Sequence, residues 1–207
     1  MKVYDLSDCQ PLDRVHVLAE DHGADGFIFK LGETLGGTPE LDDNFSAYAN
    51  DAVAEGKPFG IYYVPHARDE DGFKREAEWM NDTLFDLLGG SFPELGIWWD
   101  MEVPVVLRDD VCGQLLDIIG YQQTMYEANK WKIGIYASYS NFHRFFSLDD
   151  LVYYGIPLWV AQYNSVNDLK KEREDLRHVA WQYTDSYAPE AFGGEQKQDA
   201  NEWYGFD

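Results

Sequence analysis

The chain has 207 residues, 38 acidic against 16 basic, and a formal net charge of −22. That field repels DNA, RNA and anionic lipid, so neither a nucleic-acid nor a membrane partner is expected. With 45% hydrophobic and 16% aromatic residues, the chain reads as globular rather than disordered, long enough for one core and a single domain over residues 1–207.

Short apolar or β-branched runs, bounded by Gly, Pro or charge, predict strands at 3–6, 26–30, 60–64, 96–101, 133–138, 157–163 and 178–183. Helical patterns separate them. One over 43–55 stops at Gly56. A second over 71–88 spaces Phe73, Ala77, Met80, Leu84 and Leu87 by three and four, then stops at Gly89 and Gly90. A third over 108–129 does the same with Val111, Leu115, Ile118, Gln122 and Met125. After about Ser147 only short helical pieces are expected, and 186–198 reads as a polar surface loop. Alternating strand and helix predicts an α/β fold with parallel strands, and the fading of helices argues against a regular eightfold barrel.

Two cysteines, Cys9 and Cys112, make no metal framework and are expected as free thiols. No stretch is long and apolar enough to span a membrane. The N-terminus lacks a charged segment followed by an apolar run, so no signal peptide is read; an extracellular protein would then be released by a phage-type route or have been trimmed.

The most informative segment is Gly96-Ile97-Trp98-Trp99-Asp100-Met101-Glu102. Residues i and i+2 of a strand share a face, so Asp100 and Glu102 should sit side by side at a strand's C-terminal end, where parallel barrels carry their chemistry. Mutual repulsion and cover from Trp98 or Trp99 should raise one pKa. Glu102, with the longer reach, is the candidate proton donor to a glycosidic oxygen, with Asp100 ionised. An isolated Asp-x-Glu is more often a solvated strand end. Two further acids strengthen the pattern: Asp5 ends the first apolar strand, and Asp199 follows the last loop. The five histidines have no zinc spacing, and His66 is the one that could line a pocket. Nucleophile elbow, phosphate loop and dinucleotide fingerprint are absent, so no cofactor or metal is expected.

Several segments in order complete the pattern: Asp5-Leu6-Ser7 with Gln10; Phe27-Ile28-Phe29-Lys30 followed by Glu33-Thr34; Trp99-Asp100-Met101-Glu102; Gly134-Ile135-Tyr136-Ala137-Ser138; Pro157-Leu158-Trp159-Val160-Ala161-Gln162-Tyr163; Trp181-Gln182-Tyr183-Thr184; and Asp199-Ala200-Asn201. Together they resemble glycoside hydrolase family 25, the Chalaropsis-type lysozymes, along nearly the whole chain. The resemblance implies an irregular, flattened TIM-like (β/α) barrel of about eight strands and about five helices. It implies hydrolysis of the β-1,4 bond between N-acetylmuramic acid and N-acetylglucosamine in bacterial peptidoglycan; action outside the cell by a monomer is expected. It implies an acidic cluster of Asp5, Asp100, Glu102 and Asp199, with Glu33, Tyr62, Tyr63, Tyr136, Trp159, Gln162, Tyr163, Gln182 and Asn201 binding substrate. Two departures touch substrate contacts: Tyr63 stands where the family commonly has His, and the glycine after Glu33 is displaced to Gly36 and Gly37.

Because Asp100 and Glu102 project from one strand, they approach a sugar from similar directions, which suits attack by the substrate's own 2-acetamido group better than a carboxylate nucleophile. Three alternatives stand beside this reading. One is a family 18-like chitinase or glucosaminidase, whose fuller Asp-x-x-Asp-x-Asp-x-Glu pattern is missing. The others are a non-catalytic glycan-binding barrel and a metal-dependent phosphoesterase, which a chelator would silence.

Overall fold

Every strand of the barrel wall divides its side chains between two cores, and this division positions the site. The computed structural model describes residues 1–89, 93–125, 132–187 and 197–206. The chain runs β1 (Lys2–Leu6), α1 (Arg14–Asp21), β2 (Gly26–Leu35), β3 (Thr38–Leu41), α2 (Phe45–Ala54), β4 (Phe59–Val64), α3 (Glu70–Leu88) and β5 (Ile97–Asp100). It continues α4 (Val111–Met125), β6 (Ile133–Ser138), α5 (Tyr139–Phe145), α6 (Leu148–Tyr153), β7 (Pro157–Ala161), α7 (Asp168–Glu172), β8 (Arg177–Tyr187) and β9 (Gln198–Trp203).

The sheet order is β1-β9-β8-β7-β6-β5-β4-β2-β3, and β1 also pairs with β2. That last pairing closes eight strands into a barrel and leaves β3 outside as a hairpin partner of β2. Neighbours from β1 through β2 and β4 to β8 are parallel, whereas β9 returns antiparallel between β8 and β1. The α/β barrel is therefore as expected. The helices number seven among the described residues rather than about five, because α5, α6 and α7 are pieces of seven, six and five residues.

Several boundaries differ from the sequence reading: β2 runs on to Leu35 and β7 stops at Ala161, and two further differences bear on the site. The stretch 186–198 is not all loop: β8 extends to Tyr187 and β9 begins at Gln198, with 188–196 outside the described residues. The polar sequence of β9 hid it, since Gln198, Asp199, Asn201 and Glu202 carry no apolar run, and its partners rather than its propensity make it a strand. The strand at 96–101 is shorter, ending at Asp100, with Glu102 in the following turn.

Local chemistry explains the well-formed helix α3. Asp69 caps it by accepting from the Gly72 amide at 2.8 Å, Glu70 and Asp71 face the positive end of the dipole, and Gly89 ends it at φ 57. Phe73, Ala77, Met80 and Leu84 bury the face toward the barrel. The expected third helix is realised as α4, whose predicted tail at 126–129 lies outside the described residues.

Alternation then sorts the wall. Val3, Ile28, Trp98, Tyr136, Trp159, Ala180 and Trp203 fill the interior. Tyr4, Phe27, Phe29, Tyr63, Trp99, Ile135 and Val160 face outward under the helices. The interior holds Trp98 only because β6 has Gly134 beside it: a Cβ there would lie 2.6 Å from Trp98 Cζ3. On β2 the register shifts between Lys30 and Gly32, and a side chain at Gly32 would collide with the Glu40 carbonyl of the hairpin. Both cysteines are free, Cys9 exposed and Cys112 buried, and no helix among the described residues is long and apolar enough to cross a membrane.

Candidate active site

Inward-facing positions near the C-terminal ends of the parallel strands carry the acids. Asp5 follows Val3 on β1, and Asp100 follows Trp98 on β5, each two residues farther along the same inner face. The antiparallel register places Asp199 of β9 directly across from Asp5. Glu102 lies in the turn that β5 enters; Met101 still donates to the Tyr136 carbonyl at 2.8 Å, which holds that turn against β6.

The acids have different surroundings. Asp5 is 6% exposed and heavily hydrogen-bonded: Asn201 Nδ2 donates at 2.7 Å and Gln182 Nε2 at 3.2 Å, both to Oδ2. Burial nevertheless raises its pKa well above the carboxylate range, with repulsion from Asp199 adding to it and the two amides opposing it. Asp199 is half-buried, and its pKa is raised by burial while a hydrogen bond with Asp5 pulls it down. The two act as one coupled carboxyl pair with a strong hold on a proton.

Asp100 is 9% exposed, and its Oδ1 finds no hydrogen-bond partner among the described residues. Burial holds its carboxyl well above the usual range, Glu102 pushes it further, and Lys30 opposes. The Glu102 side chain is exposed over the mouth, and partial desolvation raises its pKa while the Tyr136 hydroxyl opposes. Burial thus favours a proton on Asp100 as well as on Glu102, where the sequence reading has Asp100 ionised; the shorter acid sits inside the barrel and the longer one reaches out of it.

A hydrogen-bond frame orients these groups. Gln182 Oε1 accepts from the hydroxyls of Tyr136 and Tyr163, each at 2.9 Å, while its amide nitrogen serves Asp5. Asn201 Oδ1 accepts from Trp159 Nε1 at 2.7 Å, and its nitrogen donates to the Val3 carbonyl as well as to Asp5. Tyr62 packs edge-on to Trp159 at 6.3 Å between ring centroids, and burial together with Asp5 and Asp100 raises its pKa well above the normal tyrosine value. Glu33 stands at the rim, paired with Lys30 at 2.6 Å.

The fold brings Asp5, Asp100, Glu102, Asp199, Tyr62, Tyr136, Tyr163, Gln182 and Asn201 together, with Trp159 beneath them as a 1% exposed floor rather than an open stacking face. Two residues are placed elsewhere. Tyr63 points outward, fully buried, with its hydroxyl 2.7 Å from Thr34 Oγ1 and its ring against Trp79 and Trp99. One residue along a strand reverses the face, so Tyr62 and not Tyr63 lines the mouth. Gln162 turns toward α7, donating to Asp168 Oδ2 and accepting from the Asp168 amide, both at 2.8 Å, so its side chain braces a helix start.

Two polar residues at the site were not singled out from sequence. Lys30, two positions after inward Ile28, is the cation that opposes the Asp100 shift. Gln198 is fully buried and donates to the Asp5 carbonyl at 2.6 Å, tying β9 to β1 behind the carboxyl pair. The alternation of β2 marks Lys30 in the sequence; Gln198 carried no signal because β9 was not foreseen.

A family model of the glycosyl hydrolases family 25 matches residues 5–191. Among solved structures, the modular autolysin LytC from Streptococcus pneumoniae is similar with a TM-score of 0.76 at 20% identity, over 98% of this chain and 46% of that one. The bacterial lysozyme from Streptomyces coelicolor gives 0.70 at 20% identity over 99% and 92% of the two chains. The muramidase from Trichobolus zukalii gives 0.67 at 19% over 99% and 94%. The chain therefore spans less than half the length of the autolysin, and at these identities the likeness establishes the fold. No curated protein matches. The matched stretch takes in Asp5, Asp100 and Glu102 and nearly the whole barrel, and on that match the chain belongs to glycosyl hydrolase family 25.

Proposed function

We propose that the chain is a single catalytic domain that hydrolyses the β-1,4 bond between N-acetylmuramic acid and N-acetylglucosamine in peptidoglycan, acting as a monomer on the cell wall outside the cell. The observation that carries this reading is the pairing of a buried Asp100, whose Oδ1 is unpartnered, with an exposed Glu102 above it, opposite the Asp5–Asp199 pair. Glu102 supplies the proton to the glycosidic oxygen as the bond from C1 of the muramoyl sugar to that oxygen breaks. The carbonyl oxygen of that sugar's 2-acetamido group attacks C1 and forms an oxazolinium ring, whose N–H is accepted by the Asp100 carboxylate. The N-acetylglucosamine side departs with the proton. Water then attacks C1, gives its proton to the Glu102 carboxylate and opens the ring, so the anomeric configuration is retained.

Burial favours a protonated Asp100 in the free protein. The acetamido N–H and the positive charge of the oxazolinium both favour its anion, so bound substrate reverses that order. The Asp5–Asp199 pair contributes further negative charge, held in place by Gln182 and Asn201, near the oxocarbenium-like centre. Mass analysis of fragments from purified peptidoglycan tests the reaction. New reducing ends on N-acetylmuramic acid are expected; new ends on N-acetylglucosamine would overturn the muramidase reading, and loss of cleavage with a chelator would favour metal-dependent chemistry.

A further inference from the structure

A cavity of about 790 Å³ lies beside the mouth, between the β2–β3 hairpin and the start of α3. It is connected to the acidic centre by charged neighbours. His66 on its wall is 3.8 Å from Glu33, Glu33 pairs with Lys30, and Lys30 acts on Asp100. The glycan mechanism uses nothing that lines this cavity.

Its lining combines three kinds of group. Arg68 and Arg75 are exposed there, and neither makes an ion pair or hydrogen bond among the described residues. Two guanidiniums outside any salt bridge among the described residues stand out in a chain where acids outnumber bases 38 to 16, with Arg75 acting on neighbouring Glu76 only through its charge. Glu76 is 4% exposed; its Oε1 accepts from the His66 amide at 3.0 Å, and its carboxylate is enclosed by the wall, where the Thr34 hydroxyl and the Ala67 amide favour its anion. Trp79 presents a half-buried ring. The walls are firm, since Asp69 is committed to capping α3, and a Cβ at Gly72 would come within 3.1 Å of Ala67 Cβ.

Guanidiniums bind carboxylates in a planar fork, and an indole ring covers a short aliphatic segment. A short acidic peptide offers carboxylate and aliphatic carbon together. If the substrate is peptidoglycan, as proposed above, every muramoyl sugar carries such a peptide on its lactyl ether. We propose that this cavity is a subsite for that peptide stem, with Arg68 and Arg75 holding a stem carboxylate and Trp79 covering its aliphatic carbon. Held there, the stem fixes which sugar lies over Asp100 and Glu102. It also gives a strongly anionic protein local purchase on an anionic wall.

The test uses the Arg68→Ala/Arg75→Ala double variant on two substrates: peptidoglycan, and the same glycan strands stripped of peptide by an amidase. Losing the charge-assisted contacts should lower kcat/KM on the stem-bearing polymer by roughly tenfold or more, mostly through KM. On stripped strands the variant should match the parent. Equal losses on both substrates, or no loss on either, would overturn the subsite. Calorimetry with a soluble muramoyl dipeptide separates this inference from the reaction on which it rests. Binding by the parent that is weakened by the double variant, and by amidation of the dipeptide's carboxylate, supports the cavity even if cleavage proves to be of another bond. Absence of binding by the parent overturns it.

Discussion

Trp98 and Trp99 are adjacent in the chain and equally buried, yet they support different things. Trp98 points into the barrel, packs against Trp159 and Trp203, and donates to the Leu95 carbonyl at 2.8 Å. Trp99 points outward, against Tyr63 and Phe73, and donates to Gln122 of α4 at 2.9 Å. The inner face continues upward into Asp100, whereas the outer face continues into fully buried Met101. One side of the wall thus ends in chemistry and the other in adhesion between sheet and helices. A change on the inner face should be read in activity as well as stability, and one on the outer face in stability alone.

The largest expected effect tests that division. Trp98→Ala and Trp99→Ala should each cost about 3–5 kcal/mol in denaturant unfolding, the range for deleting a buried aromatic side chain. Trp99→Ala also strands the Gln122 carbonyl. At temperatures where both variants remain folded, Trp99→Ala should keep turnover close to the parent's, while Trp98→Ala should lose it as the floor under Asp100 collapses. Equal turnover in the two would erase the distinction between the faces.

Next in size is Glu102→Gln. Its side chain is exposed and contributes little packing, so the melting temperature should hold while turnover falls by roughly a hundredfold or more, as for loss of a general acid. Near-parent turnover in the folded variant would remove Glu102 from that role.

Much of this division was legible in the sequence, and what was hidden has a physical cause. Alternating apolar runs marked seven strands, and the helical stops at Gly56 and Gly89 fell where expected. The period of two placed Asp100 and Glu102 side by side, but the strand ends at Asp100 and Glu102 lies in the turn beyond it. Strand β3 was hidden because Thr38, Pro39 and Glu40 offer no buried face, and β9 because its residues are mostly polar. The same polarity concealed Gln198. The placing of Tyr63 came from the resemblance and not from alternation, which assigns it outward beside inward Tyr62. Gln162 lies beyond the end of β7, where no period governs direction, and only the fold shows it turned to α7.

The buried carboxyl of Asp100 gives a third prediction. Asp100 has a folded pKa raised above its unfolded value, so the folded state holds a proton that the unfolded state releases. Its contribution to stability is present in full below the ordinary carboxylate pKa, about 3.9, and is lost as pH rises through the higher folded value. Asp100→Asn removes the cost of burying an anion. The variant should melt above the parent at pH 8, and the gap should narrow toward pH 4. A gap that is constant or inverted would show that burial does not govern Asp100.

The smallest expected effect concerns the rim, where one acceptor is served by two different hydroxyls. Gln182 Oε1 accepts from Tyr136 and Tyr163 at the same distance, 2.9 Å, but Tyr136 is 5% exposed and Tyr163 is 55% exposed. Water can replace the Tyr163 hydroxyl, so Tyr163→Phe should cost well under about 1 kcal/mol of stability, within the range of a solvent-replaceable hydrogen bond. Tyr136→Phe leaves no access for water. It also removes the hydroxyl that favours the Glu102 anion, so it should raise the Glu102 pKa further. The general acid would then keep its proton to higher pH, and the alkaline limb of the pH–rate profile should move upward in Tyr136→Phe and stay in place in Tyr163→Phe. The shift would locate the control of Glu102 in the buried hydroxyl. Matching shifts in both variants would mean that the amide of Gln182, rather than the Tyr136 hydroxyl itself, sets the acidity of Glu102.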